Sequence, residues 1–252
     1  MIILRHNING TYKSLQNLLL IDKFGHNAIY TYCTSIIAKK LKKMCAISVR
    51  PCIKKPEIPE TTLGLHVGPT LISWALIDCN LKVLHWDWKQ YNLNCRDKMY
   101  NLISVVTSVV AKIPNSSVYV IEDFQFMKTK HQKILSIQEQ LSTSIMACLT
   151  LRDGKYNTKN IYVFRPQTTG RIFKLMIGGE SICSKYIVNI TATDSVIKFN
   201  NTKSININID SDTKEMYIQM NNADQEQMRL SLLKAMSFII LVIYRNNLNI
   251  PS

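Results

Sequence analysis

From Thr62 onward the chain alternates apolar and polar positions with a period of two. In LGLHVG, residues Leu63, Leu65 and Val67 share one face, while Gly64 and His66 share the other. A glycine-proline turn follows, then LISWALID, so Thr62 to Val67 and Leu71 to Asp78 are predicted as two strands folded back on each other. Leu81 to Trp88 continues as a third strand. The pattern then changes to a helical repeat in which Met99, Leu102, Ile103, Val106, Val109 and Val110 form an apolar face. After Pro114 the run SVYVIED is a short buried strand, and Ile134, Ile137, Leu141, Ile145 and Cys148 mark a second helix. IYVFRP is a strand stopped by Pro166. Residues 192 to 224, rich in Asn, Asp, Ser and Thr, are predicted as a long surface loop or a short extra hairpin. The chain closes on a helix whose face carries Met228, Leu232, Ala235, Ile239 and Val242.

Upstream of residue 60 the pattern is different. SLQNLLLIDKFGHNAIYTYCTSIIAKKLKK is predicted as a helix, a tight turn at Lys23 to Gly25, and a second helix that ends in Lys39, Lys40, Lys42 and Lys43. Such a helix-hairpin-helix unit can offer backbone N–H groups to a phosphate. It can equally be a structural or protein-docking helix pair. Residues 44 to 60 hold three prolines and no apolar period, which marks a linker. The expected organisation is a small helical region over 1–43, a Pro/Lys linker over 44–60, and an α/β domain over 61–252.

Composition narrows the picture. An apolar share of 46% and a charged share of 19% suit a folded chain with a substantial core. The apolar run SFIILVIY is too short to cross a bilayer. Seven cysteines form no CxxC pair, which indicates neither a zinc site nor a disulfide framework. The net charge of +14, from 31 basic and 17 acidic residues, points to a polyanionic partner or to a solvated basic surface. Ten basic and three acidic residues fall in the first sixty. The opening MIILRHNING shows neither an arginine- and serine-rich leader nor a secretory apolar segment. Motifs of P-loop, serine-hydrolase, zincin and dinucleotide-binding enzymes are absent.

Three meandering strands, helix, strand, helix, strand and closing helix describe an RNase H-like mixed sheet flanked by helices. Nucleases of this fold hold two divalent metals with carboxylates from the first strand, the fourth strand and the last helix. Here the first strand offers His66, the fourth ends in Glu122 and Asp123, and the last helix places Lys234 where an acid is expected. A lysine ammonium repels a metal pair, so the positions read as a degenerate site with no catalytic residue, no metal and no cofactor. Asp224 and Glu226, one or two turns earlier on the last helix, are acids that could restore one.

ISWALIDCNLKVLHWDWKQ, VYVIED, RPQTTGRIFKLMIGGESICSKYIV and SLLKAMSFIILVIY together resemble the mitochondrial transcription elongation factors of animals. The resemblance covers most of the chain, with residues 171 to 188 its most specific part. It implies a helix-hairpin-helix region joined to a resolvase-like RNase H fold without nuclease activity. It further implies a homodimer in the mitochondrial matrix and nucleoid that binds the single-subunit RNA polymerase together with DNA and RNA, and raises processivity. Lys39, Lys40, Lys42, Lys43, Lys54 and Lys55 are the first candidate nucleic-acid contacts, and Arg165, Arg171 and Lys174 a second group. Trp86 and Trp88 share one strand face and are expected in the core or at a dimer contact. The competing readings are an active structure-selective nuclease built around Glu122 and a bare nucleic-acid-binding module.

Overall fold

The computed structural model describes residues 49–53, 58–92, 98–124, 132–152, 160–177, 180–191, 194–199 and 203–246. The predicted helix-hairpin-helix region lies outside them. The central sheet contains β1 (Val49–Arg50), β2 (Thr61–Val67), β3 (Leu71–Asp78), β4 (Val83–Gln90), β5 (Val118–Glu122) and β6 (Ile161–Phe164). Their order across the sheet is β1-β6-β5-β2-β3-β4. β2, β3 and β4 form the expected antiparallel meander, while β2, β5 and β6 run parallel. The two parallel crossovers carry α1 (Lys98–Lys112) and α2 (Gln132–Arg152). β6 is followed by the short helix α3 (Thr168–Ile172) and a small antiparallel pair, β7 (Met176–Ile177) with β8 (Glu180–Ser181). β4 begins two residues later than expected. Leu81 takes a left-handed φ of 63° in the β3–β4 turn, where the Asp78 carboxylate accepts from the N–H groups of Asn80 and Lys82.

Strand alternation divides the core into two layers. Leu63, Leu65, Val67, Trp74, Tyr119 and Ile121 point toward α1 and α2 and meet Val106, Val109, Leu141 and Ile145. The opposite sheet face is covered by α5 (Asn222–Asn246), whose Met228, Leu232, Ala235, Ile239 and Val242 are fully buried, as the helical spacing requires. Each of these side chains other than that of Ala235 contributes about 1.5–3 kcal/mol on removal from water. α5 comes so close to β2 that a Cβ built on Gly64 lies 2.2 Å from Ser231 O and 2.6 Å from Ala235 N. Glycine is therefore required at the centre of the strand.

Several expectations are corrected. On α1 the expected face holds at Val106 and Val109, which are buried, and at Leu102 and Val110, which pack against the core, but Met99 and Ile103 are exposed. Cys148 on α2 is likewise exposed. Part of the proline-bearing linker is built into the sheet, because β1 pairs with β6 to form the sheet's edge and Val49 and Ile53 are buried. The polar stretch 192–224 is more than a loop or hairpin. Its strands β10 (Ser195–Phe199) and β11 (Lys203–Asn206) form a hairpin, and β9 (Val188–Ile190) pairs with the other side of β10. A helix, α4 (Ser211–Gln219), follows, capped by the Asp210 carboxylate on Thr213 N. Ile197, Ile207, Ile209 and Tyr217 from this stretch are buried against α5.

The insert is fastened to α5 by a buried charge network. The Arg229 guanidinium, 2% exposed, donates to Glu226 Oε2 at 2.8 Å, to Ser184 Oγ at 3.0 Å and to the Tyr217 hydroxyl. Tyr217 in turn stacks on Trp86, with centroids 5.1 Å apart. Trp86 donates to Met228 O, so its expected core position holds, and the half-buried Trp88 packs beside it. Among the described residues no helix is long and apolar enough to cross a membrane.

Candidate functional site

The carboxyl ends of β2 and β5 open on the same edge of the sheet, because the strands are parallel with Gly64 opposite Val120. His66 and Glu122 each lie two residues further on, which puts both side chains on the face covered by α5. Lys234 follows from the same contact. It is the residue before Ala235, whose backbone touches Gly64, and its ammonium reaches back over β2. There Lys234 Nζ lies 3.0 Å from His66 Nδ1 and donates to Leu65 O at 3.3 Å. Residues 168 positions apart in sequence are thus joined through one side chain.

The electrostatics of this cluster are those of a buried cation with thin support. Burial lowers the Lys234 pKa to about 8, with the negative charge of Glu122 drawing it back up. Burial, and then the neighbouring ammonium, hold His66 well below its ordinary value. The imidazole is therefore neutral at physiological pH and accepts the Lys234 proton at Nδ1, which places its own hydrogen on Nε2. Glu122 accepts from Thr169 N at 3.2 Å, which ties the end of β5 to α3.

This donor set does not fit a pair of divalent metals. Hard cations require several anionic oxygens, and here one carboxylate faces an ammonium already bonded to the imidazole and the strand carbonyl. Asp123, at the next position, is exposed, and its carboxylate accepts from Phe124 N. The two acids that could have restored the site are committed elsewhere. Asp224 closes the start of α5 with Asn221, each side chain bonding the other residue, in the manner of a capping box. Glu226 is held by Arg229 and the Ser184 backbone. Burial opposes its ionisation, yet these hydrogen bonds win and keep its carboxyl below the usual range. Among the described residues no group of three or more His, Cys, Asp or Glu side chains can hold a metal ion.

Beside Glu122 a pocket of about 160 Å³ opens, bounded by Thr169, Ser181, Leu175, Met176 and Leu230. The pocket is not legible in the sequence. RPQTTG stands out there only as part of a longer resemblance, and nothing in it announces that Thr169 returns to β5. Of the second basic group, Arg165 follows β6, Arg171 lies on α3, and Lys174 takes a φ of 57° just after it; all three are exposed. Arg171 also donates to Gln167 Oε1 at 3.3 Å. Lys39, Lys40, Lys42, Lys43, Lys54 and Lys55 lie outside the described residues.

Comparison with known proteins follows the same lines. The mitochondrial transcription elongation factor of Bos taurus is 22% identical over 256 residues, covering 93% of this chain and 70% of that protein. The protein of the same name from Rattus norvegicus is 24% identical over 208 residues, covering 75% of this chain and 56% of that one. The chain spans little more than half the length of the rat protein. No family model matches. Among solved structures, the yeast mitochondrial Holliday junction resolvase Ydc2 superposes with a TM-score of 0.52 at 11% identity, over 83% of this chain and 97% of that one. The chain is a distant homologue of mitochondrial transcription elongation factors and carries the RNase H-like resolvase fold.

Proposed function

We propose that this protein is a mitochondrial transcription elongation factor, a non-catalytic clamp that binds the single-subunit mitochondrial RNA polymerase and its nucleic acid and raises processivity. The observation that carries the reading is the Lys234 ammonium bonded to His66 Nδ1 and Leu65 O where a metal-dependent nuclease needs carboxylates. A fold kept intact around a site that repels its metals suits binding rather than cleavage. The distant homology supplies the kind of binding: the homologues are mitochondrial and are named elongation factors. A clamp needs only distributed contacts, and a chain of net charge +14 supplies them to phosphates without reading sequence. In this reading the protein acts in the mitochondrial matrix and nucleoid as a homodimer through the RNase H-like domain. Lys39, Lys40, Lys42, Lys43, Lys54, Lys55, Arg165, Arg171 and Lys174 face nucleic acid.

Run-off transcription by the cognate polymerase tests it: adding the purified protein lengthens the products, and unchanged transcript lengths reject the reading. The second reading, a structure-selective nuclease, is favoured by Glu122 standing at the end of β5. Branched DNA incubated with Mg²⁺ or Mn²⁺ separates the two. Metal-dependent cleavage that Glu122→Gln abolishes establishes the enzyme and removes the clamp as the primary function.

A further inference from the structure

Among the described residues β4 is the last strand of the central sheet on the side away from β1. Tyr91 N donates inward to Thr70 O at 3.0 Å, which continues the β3–β4 ladder by one pair. By the alternation of an antiparallel ladder Lys89 and Asp87 also turn their backbone groups to β3, while Gln90, Trp88 and Trp86 turn theirs outward. The bonds agree, since Trp88 N donates to Asp87 Oδ1 at 2.7 Å. At the start of β4 the outer border is occupied, with Val83 N donating to Asn208 O at 2.8 Å. From Asp87 to Gln90 it is flanked instead by a pocket of about 380 Å³, to which α1 contributes Lys112 and α4 contributes Met216. Asp87 stands opposite Trp74 of the layer that meets α1, so Asp87 and Lys89 lie on that face and Trp88 on the other.

We propose that β4 pairs antiparallel with β4 of a second copy about a two-fold axis at Trp88, joining the two central sheets edge to edge. The inference rests on the homodimer in the reading above and names its surface. A two-fold pairing sets residues equally spaced about the axis opposite each other, so each register can be judged by the charges it opposes. An axis at Asp87 or at Lys89 sets like charges face to face. An axis at Trp86 runs into Asn208, and one at Gln90 sets Asp87 against Leu93. The axis at Trp88 sets Asp87 opposite the second copy's Lys89, twice over by symmetry. It also lets the outward groups of Trp88 bond those of its own copy, and those of Trp86 bond those of Gln90. On the other face the two Trp88 rings then lie side by side. The Asp87 carboxylate that satisfies Trp88 N in the lone chain turns to the second copy's Lys89 when that N–H gains a strand carbonyl. Both signs of charge stand in mirror positions about Trp88, which fits a second copy better than an acidic peptide.

Sedimentation velocity of the full chain over a concentration series at fixed salt tests the pairing. Asp87→Lys and Lys89→Asp each oppose like charges and are expected to weaken the dimer about tenfold or more. Mixed with each other, or combined in one chain, the two substitutions bring opposite charges together again and restore it. Gln90→Pro removes an outward N–H without touching the ladder with β3, and it weakens the dimer while thermal melting shows the fold kept. Dimers of unchanged strength in every variant overturn the β4 pairing and leave the homodimer standing, whereas a wild-type chain that stays monomeric removes both. Reversed variants whose mixture stays monomeric overturn the register. A labelled Val-Glu repeat peptide whose binding Gln90→Pro blocks, with the dimer unchanged, assigns the border to another protein and overturns the pairing too. Run-off product length decides the elongation reading independently of these outcomes.

Discussion

Replacing Lys234 by methionine keeps the volume of the side chain and removes its charge, so it isolates the energetics of the buried ammonium. In the folded protein Lys234 has a pKa of about 8, against 10.5 for an unperturbed lysine. At about 1.36 kcal/mol per pKa unit this difference amounts to about 3 kcal/mol. Below pH 8 both the folded and the unfolded chain carry the proton, and the whole penalty weighs on the native state. Between pH 8 and 10.5 the folded protein releases the proton while the unfolded chain keeps it, so the penalty fades as pH rises. Wild-type stability is therefore expected to gain about 3 kcal/mol on Lys234→Met between pH 7 and pH 10.5. For a domain of this size that is about 6–12 °C in Tm. At pH 7 the two proteins differ much less, because methionine also leaves Leu65 O and His66 Nδ1 without a donor and Glu122 without its counter-charge. Denaturant titrations at four pH values measure the difference. Burial raises Tyr91 to about 12 and pushes Tyr162 and Tyr217 upward as well, but these groups titrate in both proteins and cancel. Parallel stability curves for the two proteins across pH 7–10.5 refute the buried ammonium, and with it the electrostatic case against a metal pair.

Other outcomes follow from the packing and hydrogen bonds already described. Gly64→Ala forces α5 away from β2, because the new methyl meets backbone atoms at 2.2 and 2.6 Å; a loss of about 3 kcal/mol is expected in urea titration. Glu226→Gln leaves Arg229 buried without its counter-ion at a cost of about 3 kcal/mol, visible as a lower Tm and as earlier proteolytic cutting within residues 192–224. Since its carboxyl lies below the usual range, the Glu226 contribution is present at neutral pH and fades as pH falls through that depressed value. Asp210→Ala removes the cap of α4 and costs about 1 kcal/mol by the same melting assay. The double substitution Arg171→Gln, Lys174→Gln is expected to flatten the salt dependence of single-strand binding by about 0.7 for each phosphate that is no longer neutralised.

What could be read from the sequence was set by period and by length. The β2–β3 hairpin was legible because Leu63, Leu65 and Val67 alternate across an unambiguous turn, and α5 because its apolar spacing persists for more than four turns. α1 was placed correctly and its face held from Val106 on, while Met99 and Ile103 extend the apolar stripe past the part that meets the sheet. β1 was invisible: two residues inside a proline-rich stretch form the edge of the sheet, too short for any period to show. The β10–β11 hairpin was foreseen only as an alternative to a loop, and the pairing of β9 was hidden, because only alternate residues, such as Ile197, are buried and polar neighbours dominate the composition. His66, Glu122 and Lys234 were brought to one site by fold order alone. The answering hydrogen bond from Thr169 arises from a five-residue helix that carries no sequence signature.

The pairing of β1 fixes where the front of the chain is moored. Val49 stands opposite Phe164, one residue before Arg165, and therefore at the rim on which β5 ends in Glu122. Whatever the preceding lysine-rich residues engage is consequently leashed to that same rim, through an anchorage of only two residues. Tension on this leash would load the sheet first at β1, its two-residue border, where force spectroscopy should register the first yield.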